Sequence, residues 1–241
     1  MSVTETIKLY DRDSYAMEFE ADIISCEPDK ADDKQFDIIL NQTLFFPEEG
    51  GQSPDMGILG GYRVVDVQIK NGVIIHTVDI SADDCCIMGK EEAQTEKNAD
   101  GQITGMERAS EKAELAAGVH VHGKIDWQHR FYNMQQHSGE HIFSGIVHRR
   151  FGFENVGFHL SDSVVTMDFS GALSPEDIAE VEHEVNVAIS KNIPIEVTYP
   201  SRDELAQMEY RSKIEIEGQV RIVTVPGYDV CACCAPHVKR T

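Results

Sequence analysis

The chain has 241 residues, 41% of them hydrophobic and 26% charged, a composition typical of a globular protein with an ample core. Its formal net charge of -21 argues against non-specific binding to nucleic acid, DNA included. No apolar run approaches the roughly 18 residues that a membrane-spanning helix needs. The polar, acidic N-terminus fits neither a secretory signal nor a transit peptide, so the cytoplasm is the expected compartment.

The first part of the chain is predicted to consist of β-strands. Short β-branched and aromatic runs recur between residues 7 and 92, and Asn71-Gly72 is typical of a two-residue hairpin turn. Several short strands without a long helix predict a small β-barrel or sandwich, and we expect a β-barrel domain over residues 1–92. The polar segment 93–118 has no strand character and is predicted to be a linker or an exposed excursion.

Residues 119–241 are predicted to form an α/β two-layer domain, with helices packed on an antiparallel or mixed sheet. The fold class of the whole chain is therefore α+β. A strand at 119–125 precedes a helix that begins near Trp127 and ends at Gly152. A second helix begins after the capping residue Ser174, and its predicted apolar face consists of Ile178, Val181, Val185, Ala188 and Ile189.

Two pairs of potential metal ligands follow one another in the chain. His137 and His141 lie one turn apart on the predicted helix, so both imidazoles can reach one ion, although this spacing alone is weak support. Cys233 and His237, in "CACCAPH", are also four residues apart. The two pairs together offer four nitrogen and sulfur donors, which suit zinc. A cluster of small buried thiols is the simpler alternative, and the other candidate thiol ligands are Cys231 and Cys234.

The same helix also reads His-x-x-Glu-His, the pattern of inverted-zincin peptidases. On that hypothesis the two histidines bind zinc, and Glu140 is the general base. A third, carboxylate ligand would come from a downstream helix, where the candidates are Glu180, Glu182 and Glu184.

A glycine-rich stretch, "TLFFPEEGGQSPDMGIL", lies between two predicted strands. Gly50 and Gly51, followed by Gln52, would let the backbone approach a ligand or a partner closely. A plain hairpin loop explains the glycines equally well.

Taken in order, four segments resemble the AlaX family, the free-standing editing proteins related to alanyl-tRNA synthetase. They are "FFPEEGGQSPDMG", "IDWQHRFYNMQQHSGEH", "VGFHLSDSVVTMDFSG" and "CACCAPH". The resemblance covers nearly the whole chain, including the N-terminal barrel of the larger AlaX proteins. It implies a zinc ion bound by His137, His141, Cys233 and His237, with Cys233 preferred over its neighbours.

The resemblance further implies hydrolysis of the ester between a wrong amino acid, serine and perhaps glycine, and alanine tRNA. The candidate substrate-binding residues of the glycine-rich segment are Glu49, Gly50, Gly51 and Gln52, with Glu49 at the position of the family's first glycine. His159 is the candidate polar residue that reads the amino acid, and Glu140 is a candidate proton relay. Cys234-Ala235-Pro236 replace the usual Gly-Gly-Thr, which removes a hydroxyl beside the site.

Contacts with tRNA require a local basic surface on so acidic a chain, and weak, salt-sensitive binding is expected. Arg149 and Arg150, at the end of the histidine-bearing helix, are the first candidates. The others are Lys191, Arg202, Arg211, Lys213, Lys239 and Arg240. Besides the peptidase, the main rival function is a non-catalytic RNA-binding module in which zinc closes a structural site.

Overall fold

The computed structural model describes residues 5–81, 112–161, 163–212 and 218–241. These residues form mainly antiparallel sheets with few helices, which confirms the predicted α+β class. The chain divides into two compact units, one made of 1–47 with 54–127 and the other of 48–53 with 128–241. Within the described ranges, no helix has both the length and the hydropathy that crossing a membrane requires.

The first unit is built almost entirely of strands. Six of them close into a barrel in the order β2-β3-β7-β6-β5-β8, and each neighbouring pair is antiparallel. The two shortest strands, β1 and β4, pair in parallel, and a single 3-10 turn follows β1 at Leu9–Asp11. The strands are β1 (Ile7–Lys8), β2 (Glu18–Pro28), β3 (Gln35–Leu40), β4 (Gln42–Thr43), β5 (Gly57–Leu59), β6 (Tyr62–Lys70), β7 (Val73–Asp79) and β8 (His120–Ile125).

A barrel confined to residues 1–92 is wrong, because β8 pairs with both β2 and β5 and closes the circuit. Its inward residues, Val121 and Ile125, are buried. Its outward residues face the acidic outer row of β2, and this cross-strand charge pairing is favourable. The register pairs are Glu18 with Lys124, Glu20 with His122 and Asp22 with His120. Of the predicted linker, residues 93–111 lie outside the described part of the chain.

The predicted hairpin turn is confirmed. Asn71 and Gly72 have φ angles of 51° and 77°, and the flanking residues Lys70 and Val73 pair across it. Positive φ at both central positions is the requirement of a type I′ turn, which Asn-Gly meets at little cost.

The second unit combines three helices with two small antiparallel sheets within its described residues. One sheet has the order β11-β12-β13, and β9 pairs with β10 in the other. The elements are α1 (Trp127–Phe151), β9 (Asn155–Leu160), β10 (Val165–Phe169), α2 (Pro175–Ser190), β11 (Glu196–Thr198), α3 (Arg202–Leu205), β12 (Ile222–Val225) and β13 (Asp229–Ala232).

The core of this unit lies where α1 packs on α2 and β12. Its buried members are Ile142, Ile146, Val147, Val181, Ala188 and Val225. The predicted start of α2 is confirmed, since Ser174 and Asp177 form a reciprocal capping box. The predicted apolar face of α2 is too wide, however, because Ile178 and Ile189 are 44% and 46% exposed. Only the strip of α2 that touches α1 and the sheet is covered.

Candidate metal centre

Four side chains predicted as metal ligands converge in the second unit. His137 and His141 project from one face of α1, while Cys233 and His237 follow the last strand, β13. One donor atom from each of the four lies within 4.8 Å of all the others. The Nε2 atoms of His137 and His237 lie 3.5 Å and 3.4 Å from the Cys233 sulfur. The packing of α1 against the segment after β13 thus brings together side chains that are about a hundred residues apart in the sequence.

Each of two imidazoles is held on its outer side by a neutral acceptor. The Nδ1 of His137 lies 2.9 Å from the side-chain oxygen of Gln52, and the Nδ1 of His237 lies 2.9 Å from the Ser138 hydroxyl. An amide oxygen can only accept, so His137 carries its proton on Nδ1 and presents the Nε2 lone pair to the cluster. A hydrogen bond of this kind fixes the tautomer and ring orientation of metal-binding histidines.

The third imidazole is held by a buried charged pair. His141 Nδ1 donates to Asp229 Oδ2 at 2.9 Å, and both side chains are 2% exposed. Arg211 in turn donates from Nε to Asp229 Oδ1 at 2.7 Å and from its terminal nitrogen to Oδ2 at 2.9 Å. This bidentate guanidinium keeps the carboxylate ionised, because burial raises the pKa of Asp229 but the bonds from His141 and Arg211 lower it below its usual value.

The cluster itself favours a thiolate surrounded by imidazoles. Burial acts to raise the pKa of Cys233, yet the nearby His137 and the hydrogen bonds from the three histidines hold it well below its usual value. Burial acts to lower the pKa of His141, but its bonds to Asp229 and Cys233 raise it well above the usual range. Burial dominates at His237 and lowers its pKa to about 3, so this imidazole is neutral.

The arrangement fits a tetrahedral metal ion with one sulfur and three nitrogen ligands. Zinc binds sulfur at about 2.3 Å and imidazole nitrogen at about 2.0 Å, so a tetrahedral site separates the two donors by roughly 3.5 Å. The observed nitrogen-to-sulfur separations are 3.5 Å and 3.4 Å. Both the donor types and their spacing therefore suit zinc.

A close helix-to-turn contact sets the distance between His141 and its carboxylate. Gly145 of α1 lies against the turn before β13, where an added Cβ would come within 2.3 Å of the Tyr228 carbonyl oxygen and 2.9 Å of the Asp229 Cβ. Contacts below 3.0 Å are not tolerated by real side chains, so only glycine allows the helix this close.

The glycine-rich segment reaches the cluster through Gln52, which is 1% exposed and contacts His137. Of the other predicted substrate-binding residues, Gly50 lies against the Cys234 sulfur, and Gly51 accepts a hydrogen bond from the backbone of Leu160. The side chain of Glu49 carries a buried carboxylate oxygen.

The hydrogen bonds and the position of Glu140 differ from those expected of a general base. Its carboxylate accepts hydrogen bonds of 2.6 Å from both Ser144 and Asn155, in a buried cluster beside the metal ligands. The donor group around Cys233 does not include it. Two of the proposed peptidase ligands, Glu180 and Glu184, instead form ion pairs with Arg150 and Arg149. This geometry does not match the inverted-zincin pattern.

The candidate reader His159 is exposed, and its neighbour Phe158 takes the position beside the cluster. The ring centroids of Phe158 and His137 are 4.9 Å apart. Successive side chains of a strand point to opposite faces, so with Phe158 turned toward His137 the side chain of His159 points away. An exposed and a buried strand face cannot be told apart from "GFHL" alone, so the sequence does not predict which of the two side chains lies beside the cluster.

The candidate tRNA-binding arginines are engaged in local contacts. Arg149 pairs with Glu184 and donates to the Gly227 carbonyl, and Arg150 pairs with Glu180. Arg211 belongs to the buried Asp229 link, so it is not available to a phosphate. Lys213 lies outside the described residues.

The sequence did not predict the residues that orient the candidate ligands through hydrogen bonds or packing. Asp229, Ser138 and Phe158 lie within two residues of predicted site positions, yet nothing in their spacing marks them. Arg211 comes from an irregular segment after α3 that carries no periodic signal.

The chain is similar in sequence to several known proteins. No family model matches it. It is 29% identical to the alanyl-tRNA editing protein Aarsd1 of Mus musculus over 96% of its length, and 27% identical to the alanyl-tRNA editing protein AlaX-L of Pyrococcus horikoshii over 97%. The chain is related to the AlaX family of alanyl-tRNA editing proteins. The predicted resemblance is thereby confirmed.

The chain spans about half the length of these relatives, 52% of Aarsd1 and 51% of AlaX-L. It is also 26% identical to the alanine–tRNA ligase of Ignicoccus hospitalis, where it covers 23% of the enzyme. The similarity therefore concerns one part of longer proteins.

Proposed function

We propose that this protein hydrolyses the ester linking a wrong amino acid, serine and to a lesser degree glycine, to alanine tRNA. The observation that carries the proposal is the buried group of three imidazoles and one thiol, each imidazole oriented by a partner on its outer side. The names of the relatives reported above, two alanyl-tRNA editing proteins and an alanine–tRNA ligase, supply the substrate class.

We assign zinc to His137, His141, Cys233 and His237. Donor types and donor spacing support this assignment. When bound there, zinc would supply positive charge that polarises or positions the aminoacyl group. The residues 48–53 and 128–241 would then be the zinc-dependent editing unit.

The remaining residues have supporting tasks in this proposal. Gln52, Ser138 and Asp229 orient the imidazoles, and Phe158 packs on the ring of His137, where it helps to exclude water. Glu140 anchors α1 to Asn155 and receives no proton-transfer step. Arg149 and Arg150 contribute only weak, salt-sensitive contacts with tRNA, because each is already paired with an acidic residue of α2.

One observation favours a second candidate, a non-catalytic zinc-stabilised RNA-binding module. Four protein donors complete a tetrahedron, and closed four-ligand sites are usually structural.

A deacylation assay separates the two functions. Alanine tRNA charged with serine, glycine or alanine is incubated with wild type, with His141→Ala and with His148→Ala, and bound zinc is measured in each sample. His148 is the matched control, since it lies on the same helix but is 44% exposed and pairs with Glu154. Editing requires zinc-dependent release of serine by wild type and His148→Ala, sparing of alanine, and loss of both zinc and activity in His141→Ala. A zinc-loaded wild type that binds tRNA without releasing amino acid would establish the binding module instead.

A further inference from the structure

A tight turn presents two polar side chains beside the metal centre. Glu49 and Gln52 pair as an antiparallel bridge around Gly50 and Gly51, whose φ angles are 64° and 82°. Glycine adopts such angles without steric cost, as a two-residue turn of this kind requires. Directly paired residues project from the same face with Cβ atoms about 5 Å apart. The side chains of Glu49 and Gln52 therefore lie next to each other.

The turn is fixed against the metal centre at three points. Gln52 contacts His137, and a Cβ on Gly50 would lie 3.4 Å from the Cys234 sulfur. A Cβ on Gly51 would come within 2.3 Å of the Phe158 carbonyl oxygen, so the backbone there is as close as packing allows. The two polar side chains thus have a defined position relative to the metal ligands.

Each of these side chains carries one buried polar atom that has no hydrogen-bond partner among the described residues. They are the Oε2 acceptor of Glu49 and the Nε2 donor of Gln52. The Gln52 amide cannot rotate to satisfy its nitrogen, because its oxygen is engaged by His137. Leaving a buried polar group unsatisfied is unfavourable, so a pair of them beside the candidate metal ligands points to a ligand that satisfies both.

We propose that Glu49 and Gln52 form a subsite for a hydroxyl group of the substrate, an inference that rests on the proposed editing function. A hydroxyl donates one hydrogen bond and accepts others, so it can donate to the Glu49 carboxylate and accept from the Gln52 amide at once. A methyl group in the same place would leave both atoms unpaired, and sites of this kind reject substrates that lack the group. The aminoacyl end of tRNA has two such hydroxyls, that of serine and the free ribose hydroxyl beside the ester.

Three variants test the subsite. Glu49→Ala removes the hydrogen-bond acceptor. Gln52→Glu keeps an oxygen for His137 but replaces the amide nitrogen, the donor, with a second oxygen. Gln52→Met removes both functions of the amide and is expected to lose zinc as well. Glu48→Gln is the matched control, since Glu48 is an exposed neighbour of Glu49. Zinc content and melting temperature are measured for all four, and kcat/KM for serine-charged and glycine-charged alanine tRNA.

If the serine hydroxyl occupies the subsite, Glu49→Ala and Gln52→Glu retain zinc and lose about 10- to 100-fold in kcat/KM for the serine ester, with little change for glycine. If the ribose hydroxyl occupies it, both esters lose equally, and tRNA lacking that hydroxyl is cleaved alike by wild type and variants. The subsite is overturned if both variants retain zinc and cleave every ester within twofold of wild type. A wild-type protein that releases no serine would instead overturn the editing function, and the subsite with it.

Discussion

The link from Arg211 through Asp229 to His141 predicts a large effect from a single atom change, Asp229→Asn. The carboxylate accepts three hydrogen bonds within a site where it is 2% exposed, one from His141 and two from Arg211. An amide has only one oxygen, so it cannot accept from both sides. Either the Asn nitrogen faces the Arg211 donors, or it donates to His141 Nδ1 and forces the proton onto Nε2, where the metal lone pair is needed.

Two effects of different size follow. Loss of an outer partner of a metal-binding histidine typically reduces metal affinity by about 10- to 100-fold, which is roughly 1.4–2.7 kcal/mol. Breaking one side of a buried ion pair costs about 3–5 kcal/mol of folding stability, because the other charge stays buried. The Arg211 side chain is 11% exposed, so its charge stays largely buried after the substitution. Most of this loss of folding stability is therefore expected in the metal-free protein.

The assay is zinc competition against a chromophoric chelator, together with thermal unfolding of the metal-free and zinc-loaded protein. The double variant Asp229→Asn with Arg211→Met removes the unpaired charge, so it should recover stability without recovering zinc affinity. Asp203→Asn, an exposed residue of α3, is the control for the substitution itself. Wild-type zinc affinity in Asp229→Asn and in the double variant, within twofold, would refute the role given to this link.

Two further predictions concern packing and pH. Gly145→Ala should lower the melting temperature and zinc affinity by pushing α1 off the Tyr228 carbonyl, whereas Gly139→Ala, with nothing within 4 Å of its Cβ, should be neutral or stabilising. His76 is fully buried, and burial lowers its pKa from 6.5 to about 4. Between these two pH values His76 is protonated in the unfolded chain but stays neutral in the folded barrel. The free energy of unfolding should therefore fall by up to about 3 kcal/mol as the pH drops from 6.5 to 4. Chemical denaturation across this pH range should show that slope in wild type, and its persistence in His76→Gln would contradict the assignment to His76.

Local signals predicted several elements of both units because these signals act over a few neighbouring residues. The capping box at Ser174, the helix from Trp127 and the Asn71-Gly72 hairpin all depend on contacts a few residues apart. The group formed by His137, His141, Cys233 and His237 could also be predicted, since two short spacings and a family resemblance marked these residues. The exposure of His159 could not be predicted in this way, because which of two adjacent strand residues is buried depends on which face of the strand is covered.

The sequence by itself determined the α+β class, the individual helices and a set of candidate ligands, since these follow from periodicity, capping and side-chain chemistry. The preference for Cys233 over Cys231 and Cys234 came from the family resemblance. Only the tertiary structure decided that β8 closes the barrel, that Arg211 and Asp229 hold His141, and that Phe158 rather than His159 faces the cluster. The tertiary structure also shows that Glu49 and Gln52 each carry a buried polar atom without a hydrogen-bond partner among the described residues. All of these depend on contacts between segments distant in the chain, which a local pattern does not encode.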